Sequence, residues 1–319
     1  MPLFKKIAIL GGAGGVGSTM AFYLGLKNVA AQIALIDVKT NILETHLIDL
    51  RECFSEECAT EILAGDYGLL TGADLVIMAA SQPNADPVAS RNDYLSHNLP
   101  LVIAAAEAVR DHCPEALVIV TTAPTDVFTL VFQDVLGRDR HKILGFCRND
   151  SQRFRYALSQ VLKVDPKRVK GLVLGEHGRT QVPAFSTVTI DQEKVLLSAD
   201  QKTRVLESLT NWYLHWQAQK SGRTTTWTSA TSIHKTLLAL AGKIDEPPLG
   251  SVVLEGEFGL SDVALGLALT PGTKGWKSVV ELDLTVLELR ALRASAESVK
   301  SLYAQAANPY SRRLKTSVK

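Results

Sequence analysis

Charge excess is the first thing missing from this chain: 34 Lys and Arg stand against 33 Asp and Glu, a net charge of +1. So even a balance gives no electrostatic hold on nucleic acid or on an anionic membrane surface. Cysteine is scarce. Cys53, Cys58, Cys113 and Cys147 form no Cys-x-x-Cys pair and no metal-type spacing, so no metal is expected and the thiols read as reduced, as suits the cytoplasm. Long apolar runs are also absent, and nothing approaches the ~18 residues of a membrane span. The run from Ile7 meets glycine at Gly11, too short and wrongly flanked for a signal peptide. Repeats and low-complexity segments are lacking as well. What remains is a soluble cytoplasmic chain with a small-molecule ligand. Its 319 residues, 46% hydrophobic, suffice for a large core in two lobes.

Glycine is concentrated where it carries information. After the apolar residues 5–10 comes Gly11-Gly12-Ala13-Gly14-Gly15-Val16-Gly17, and then a helix through Met20, Ala21 and Leu24. Gly12, Gly14 and Gly17 have the G-x-G-x-x-G spacing: a tight turn, a close approach to a pyrophosphate, and close helix–strand packing. Gly15 and Val16 lie in the same turn, and the N-terminus of the helix after it offers free N–H groups that suit phosphate. A second strand, Gln32–Ile36, ends at Asp37, twenty residues after Gly17. An acid there reads a ribose diol and repels a 2′-phosphate, which favours NAD over NADP. The competing reading makes Asp37 a cap for the next helix.

Strands near 60–65, 73–80, 116–122 and 141–146 alternate with helices near 91–112 and 126–137. The expected fold is α/β, a Rossmann-type doubly wound parallel sheet over residues 1–147, with ligands beyond the carboxyl ends of its strands. Residues 148–319 read as a mixed α+β substrate lobe: helices at 149–162, 199–219, 227–242 and 284–306, strands at 169–174, 184–190, 251–256 and 264–270. The basic tail from Asn308 to Lys319 reads as disordered. Between the fourth strand and its helix, residues 81–91 hold two prolines and small polar residues, the composition of a loop placed to cover the ligand. Arg91 sits at that helix start, where the dipole disfavours a cation; it reads either as ligand-facing or as a solvated base.

The chemistry centres on Gly175-Glu176-His177-Gly178, with Asp150, Gln152 and Arg153 upstream. An imidazole exchanges protons near neutral pH. Asp150 would hold its tautomer and stabilise the imidazolium. Arg153, three residues on, shares a helix face with Asp150 and offers a fork for a carboxylate. Alone, a histidine between glycines is more often a loop residue.

Over nearly its whole length the chain resembles the lactate/malate dehydrogenase family. The resemblance is carried by Gly12–Gly17 with Asp37, by Ser90-Arg91-Asn92-Asp93-Tyr94-Leu95, by Asp150-Ser151-Gln152-Arg153-Phe154-Arg155, by Gly175–Pro183 and by Leu254–Asp262. It implies an NAD-dependent L-2-hydroxy acid dehydrogenase, acting as a homodimer or homotetramer. His177 would be the acid/base, Asp150 its partner, Arg153 the carboxylate clamp and Arg91 the lid residue that polarises the carbonyl. It places Ala79, Ala80, Ser81 and Ala123 beside the cofactor, and Ala85 and Thr224 beside the substrate. The chain departs from the family pattern at Ala85, where a lid arginine or glutamine is usual, at Ala123, where asparagine is usual, and at Ala79–Ser81, Arg148 and Arg179. Two readings stay open: a working dehydrogenase with an unusual substrate, in which Arg148, Arg179 or Arg223 replaces the lid charge, or an NAD-binding sensor with little activity.

Overall fold

The computed structural model describes residues 1–82 and 94–316, with side chains through Ala306; Ala85 and Arg91 lie outside the described residues. β1 (Phe4–Leu10), β2 (Ala30–Ile36), β3 (Glu61–Gly65), β4 (Leu75–Met78), β5 (Leu117–Val120) and β6 (Ile143–Gly145) pair in parallel, in the order β6-β5-β4-β1-β2-β3. β4 (Leu-Val-Ile-Met) and β5 (Leu-Val-Ile-Val) are buried at every residue, as central strands covered on both faces require. The crossovers run through α1 (Gly15–Leu26), α2 (Thr40–Glu57), α3 (Leu95–His112) and α4 (Thr125–Leu136). The strand order reverses between β1 and β4, so a crevice forms beyond their carboxyl ends. β4 is shorter than the apolar run of its sequence: pairing stops at Met78, and Ala79 and Ala80 lead on into the crevice.

The second half comprises α5 (Arg148–Leu162), β7 (Val169–Leu174), β8 (Val182–Ile190), β9 (Glu193–Lys194), α6 (Ala199–Ala218), α7 (Trp227–Leu240), β10 (Leu249–Glu255), β11 (Ser261–Gly272), β12 (Gly275–Val279) and α8 (Val286–Thr316). Only β7, β8 and β9 form a sheet of their own, antiparallel. β10, β11 and β12 instead continue the first sheet, because β10 pairs antiparallel with β6 at Ser251 and Gly145. One core therefore runs beneath both halves, from Ile7 and Leu75 to Leu265 and Leu292. β9 and β12 are additions to the expected elements.

The tail expectation is corrected by α8, which continues to Thr316 instead of ending before Asn308. Its Leu292, Ala296, Val299 and Ala306 are buried, and once a helix is anchored by packing each further residue adds a hydrogen bond without a new nucleation cost. Among the described residues no helix is long and apolar enough to cross a membrane, and no cluster of three His, Cys, Asp or Glu is placed to hold a metal ion.

Candidate active site

The glycine turn joins β1 to α1 with almost no clearance. A Cβ on Gly17 would lie 2.3 Å from the Gly11 carbonyl oxygen, and one on Gly12 would lie 2.7 Å from the Leu35 Cβ. Gly11, at φ +91°, has no room either, since its Cβ would lie 2.4 Å from the Ala80 nitrogen. The turn after β1 is thereby pressed against the segment after β4. Helix α1 starts from Gly14 without a side-chain cap, so its first N–H groups are left for an anion. Asp37, just past β2, accepts from the Ala13 N–H at 3.1 Å and the Lys39 N–H at 3.1 Å. Each carboxylate oxygen keeps a further lone pair for a hydroxyl donor. Asp37 thus braces the turn locally, and α2, whose N-cap is Lys39, takes no side-chain cap from it. An anion-seeking helix end, glycines where a Cβ would intrude and an acid at the tip of the second strand together fit a dinucleotide.

A buried amide that sequence reading missed ties the remaining crevice segments together. Asn98, nearly inaccessible in α3, accepts from the Gln82 N–H at 2.9 Å and the Ser81 hydroxyl at 3.3 Å, and donates to the Ala123 carbonyl at 3.2 Å. Ala80 accepts from the Thr122 hydroxyl at 2.8 Å. Ala79, Ala80, Ser81 and Ala123 are therefore brought together beside the glycine turn. A signal existed in the sequence: Asn98 falls between Leu95, Leu99 and Val102 on the apolar face of its helix.

His177 emerges just after β7 from a turn that its neighbours dictate. Gly175 has φ +84°, and a Cβ there would lie 2.7 Å from Ser295 Oγ. A Cβ on Gly178 would lie 2.7 Å from the Glu176 carboxyl, which is buried and accepts from Thr180 N at 3.1 Å. The Ser295 Oγ accepts from Glu176 N at 2.7 Å. On this platform the His177 Nδ1 is hydrogen-bonded to Asp150 Oδ2, and Asp150 Oδ1 accepts from Arg153 Nη1 at 3.0 Å. Both members of the imidazole–carboxylate pair are largely buried, at 9% and 6% side-chain exposure. The Arg153 guanidinium also stacks on Trp212 of α6, 4.1 Å from the ring centroid.

Asp126, in the first turn of α4, was also missed. Its Oδ2 accepts from the His177 main-chain N–H at 2.7 Å and its Oδ1 from the Ser251 hydroxyl at 2.6 Å. Burial pushes this carboxyl up to about 7; Glu176 and Asp150 add to the rise, and the Ser251 and His177 bonds oppose it.

Other expected residues fall away from this line. Thr224 is exposed in the segment before α7; Thr226, buried, lies closer to the turn, its Cγ2 3.4 Å from where a Gly15 Cβ would be. Arg148 does not present a spare cation, which corrects that expectation: it is buried, with Nη2 2.5 Å from Glu246. Arg155, at 3.1 Å, and Lys170 bind the same carboxylate. Burial works to raise the Glu246 carboxyl, but the three cations overcome it and hold it far below the usual range. Arg223 stacks on Trp227 at 4.8 Å, and Arg179 is exposed two residues past His177.

The fold and the glycine turn define a dinucleotide-binding enzyme with a hydrogen-bonded histidine–carboxylate pair in the same chain. Residues 5–145 match the lactate/malate dehydrogenase NAD binding domain, and residues 148–308 match the family's alpha/beta C-terminal domain. The chain belongs to the lactate/malate dehydrogenase family and is an NAD-dependent dehydrogenase acting on a CH–OH group. It is 32% identical to the malate dehydrogenase of Halobacterium salinarum, over 93% of this chain and 98% of that one. To the L-lactate dehydrogenase of Acetivibrio thermocellus it is 27% identical, over 94% and 96%. Among solved structures, Cryptosporidium parvum malate dehydrogenase superposes with a TM-score of 0.89 at 28% identity, covering 97% of this chain and all of that one.

Proposed function

We propose that the chain interconverts a 2-hydroxy and a 2-oxo carboxylic acid of L configuration, with His177 as the acid/base. The observation that carries this reading is the hydrogen-bonded line from Arg153 through Asp150 to His177. A carboxylate only accepts, so it keeps the proton on Nδ1 and leaves Nε2 to exchange one with the substrate oxygen. In the reducing direction the imidazolium gives its proton to the oxo oxygen, and Asp150 steadies the charged ring beforehand. Arg153 donates to Asp150 at 3.0 Å, and its planar guanidinium is the group suited to take the substrate carboxylate. By the family resemblance Arg91 would supply the guanidinium that polarises the carbonyl, and Ala85 would stand beside the substrate.

Gly12, Gly14, Gly15, Val16 and Gly17 would hold the pyrophosphate, Asp37 the adenosine ribose, and Ala79, Ala80, Ser81 and Ala123 the nicotinamide side. When bound, NAD supplies or accepts the hydride at C2. Asp37 disfavours a 2′-phosphate, hence NAD rather than NADP. The chain acts in the cytoplasm as a homo-oligomer. The test is NADH consumption, followed by absorbance, over a panel of 2-oxo acids. At least one acid is expected to turn over, and His177→Ala to lose about a thousandfold or more of that rate. NADH binding without turnover on any acid would favour the sensor reading instead.

A further inference from the structure

The fork of Arg153 meets a ring face as well as an acid, and the ring belongs to a helix that is otherwise lightly seated. Of the 20 residues of α6 only Val205 is buried, yet its Trp212 carries the Arg153 guanidinium 4.1 Å from the ring centroid. We propose that Trp212 is a positioning residue for Arg153, setting the plane in which the guanidinium meets the substrate carboxylate. This rests on the carboxylate-clamp reading above and adds to it a residue outside the histidine line.

The chemistry of the contact is the first support. A guanidinium is flat, and its N–H donors point outward in its own plane. The bond to Asp150 at 3.0 Å ties Nη1, but one bond at one arm does not set the tilt of that plane. A ring face does, through cation–π attraction and stacking. It acts on the face of the guanidinium and leaves the in-plane direction to acceptors. A second acid in the place of Trp212 would compete with the substrate for the same N–H groups. An aromatic side chain is therefore the partner that steadies a clamp without filling it.

The way the indole itself is held is the second support. Trp212 stacks on Trp216, one helical turn further on, with centroids 5.6 Å apart and planes inclined by 24°. Trp216 Nε1 in turn donates to the Arg223 carbonyl at 3.2 Å, in the segment that leads into α7. The ring that carries Arg153 is thus braced by a second ring, and the second ring is anchored to main chain. The stack also borders open space. Arg153 and Trp212 line one cavity of about 940 Å³ together with Gln152, Asn211 and Thr228, so a small molecule can reach both side chains.

The test separates positioning from scaffolding by kinetics and by coupling. Trp212→Leu removes the ring face and Trp212→Phe keeps a smaller one; each is made in the wild type and together with Arg153→Lys. With the best 2-oxo acid of the panel, Trp212→Leu is expected to raise KM about threefold to thirtyfold, the range of one cation–π contact. The turnover number stays within about twofold, and NADH affinity is unchanged. Trp212→Phe recovers most of the loss. Combined with Arg153→Lys, where no fork remains to be oriented, Trp212→Leu adds less than about twofold to KM, because the two side chains act as one unit. Trp216→Leu withdraws the brace behind the ring, moves KM the same way by less, and serves if Trp212→Leu does not fold. Calorimetric binding of oxamate, a non-reacting analogue of a 2-oxo acid, to the NADH-loaded protein gives the same comparison without turnover. Unchanged KM and oxamate affinity in Trp212→Leu, or an equal loss with and without Arg153→Lys, would overturn the proposal while the clamp stands. Should Arg153→Lys alone leave both quantities unchanged, the clamp reading itself fails and the proposal falls with it.

Discussion

Arg153 illustrates how one side chain is specified by three neighbours. Asp150 fixes one arm of the fork at 3.0 Å, and the Trp212 face supports the plane at 4.1 Å. A lysine at this position keeps the charge and loses both the fork and the stacking surface. Arg153→Lys is therefore expected to raise KM for the oxo acid by about tenfold to a hundredfold, equivalent to roughly 1.4–2.7 kcal/mol, with a smaller effect on kcat and none on NADH affinity. Steady-state kinetics with a separate NADH titration checks it; an unchanged KM would remove Arg153 from substrate binding. At this scale the sequence was informative where partners are near in the chain. Asp150 and Arg153 are three residues apart on α5, and their shared face follows from helical spacing. Asp126 and Glu246 were invisible for the opposite reason. The first reaches its partner across 51 residues and the second across 98, and no local pattern signals an acid that becomes meaningful only after the sheet is assembled.

Elements were legible to the extent that burial dictated composition. β4 and β5, and the last four residues of β1 and β2, are continuous apolar runs because both faces are covered, and such runs are readable without partners. β12 was not, because Gly275 and Lys277 break its apolar pattern and only Trp276 is anchored deeply, donating to Arg140 and Ile143 carbonyls. The junction of β1 and α1 is the element-level feature with the least slack. Adding a methyl at Gly17 sets it 2.3 Å from a backbone oxygen, and backbone, unlike a side-chain tip, cannot swing aside. Gly17→Ala is expected to destabilise the fold by about 1–3 kcal/mol and to abolish NADH binding, read by denaturant unfolding and by fluorescence titration. Glu246, in the link from α7 to β10, pins α5 and β7 together through Arg148, Arg155 and Lys170. Glu246→Gln leaves three cations facing one another, and its expected cost is about 3 kcal/mol, the low end for a buried pair broken on one side. Urea unfolding of the variant measures it, and a loss below 1 kcal/mol in ~150 mM salt would mean that solvent already screens the cluster.

For the molecule as a whole, Glu246 and the buried Asp126 bend the pH dependence of stability in opposite directions. Glu246 is held below its ordinary pKa, so what it contributes is present above the unfolded carboxylate value, about 4.3, and is lost only as pH falls through its depressed folded value. Asp126 is raised from 3.8 to about 7, and its sign is reversed. The folded chain holds that proton more tightly than the unfolded chain, so the contribution is complete below about pH 4. It declines as pH rises and is gone once pH has passed the folded value near 7. Across that window a single such group can cost at most about 1.4 kcal/mol per pH unit. Comparison with Asp126→Asn isolates it, because every other titration is common to both proteins. Urea unfolding at intervals from pH 5 to pH 8 is expected to show the asparagine variant gaining on the wild type as pH rises, by roughly 1–3 kcal/mol in total, with the difference levelling off above the Asp126 titration. A difference that stays flat across the range would mean that Asp126 ionises in the folded chain as easily as in the unfolded one.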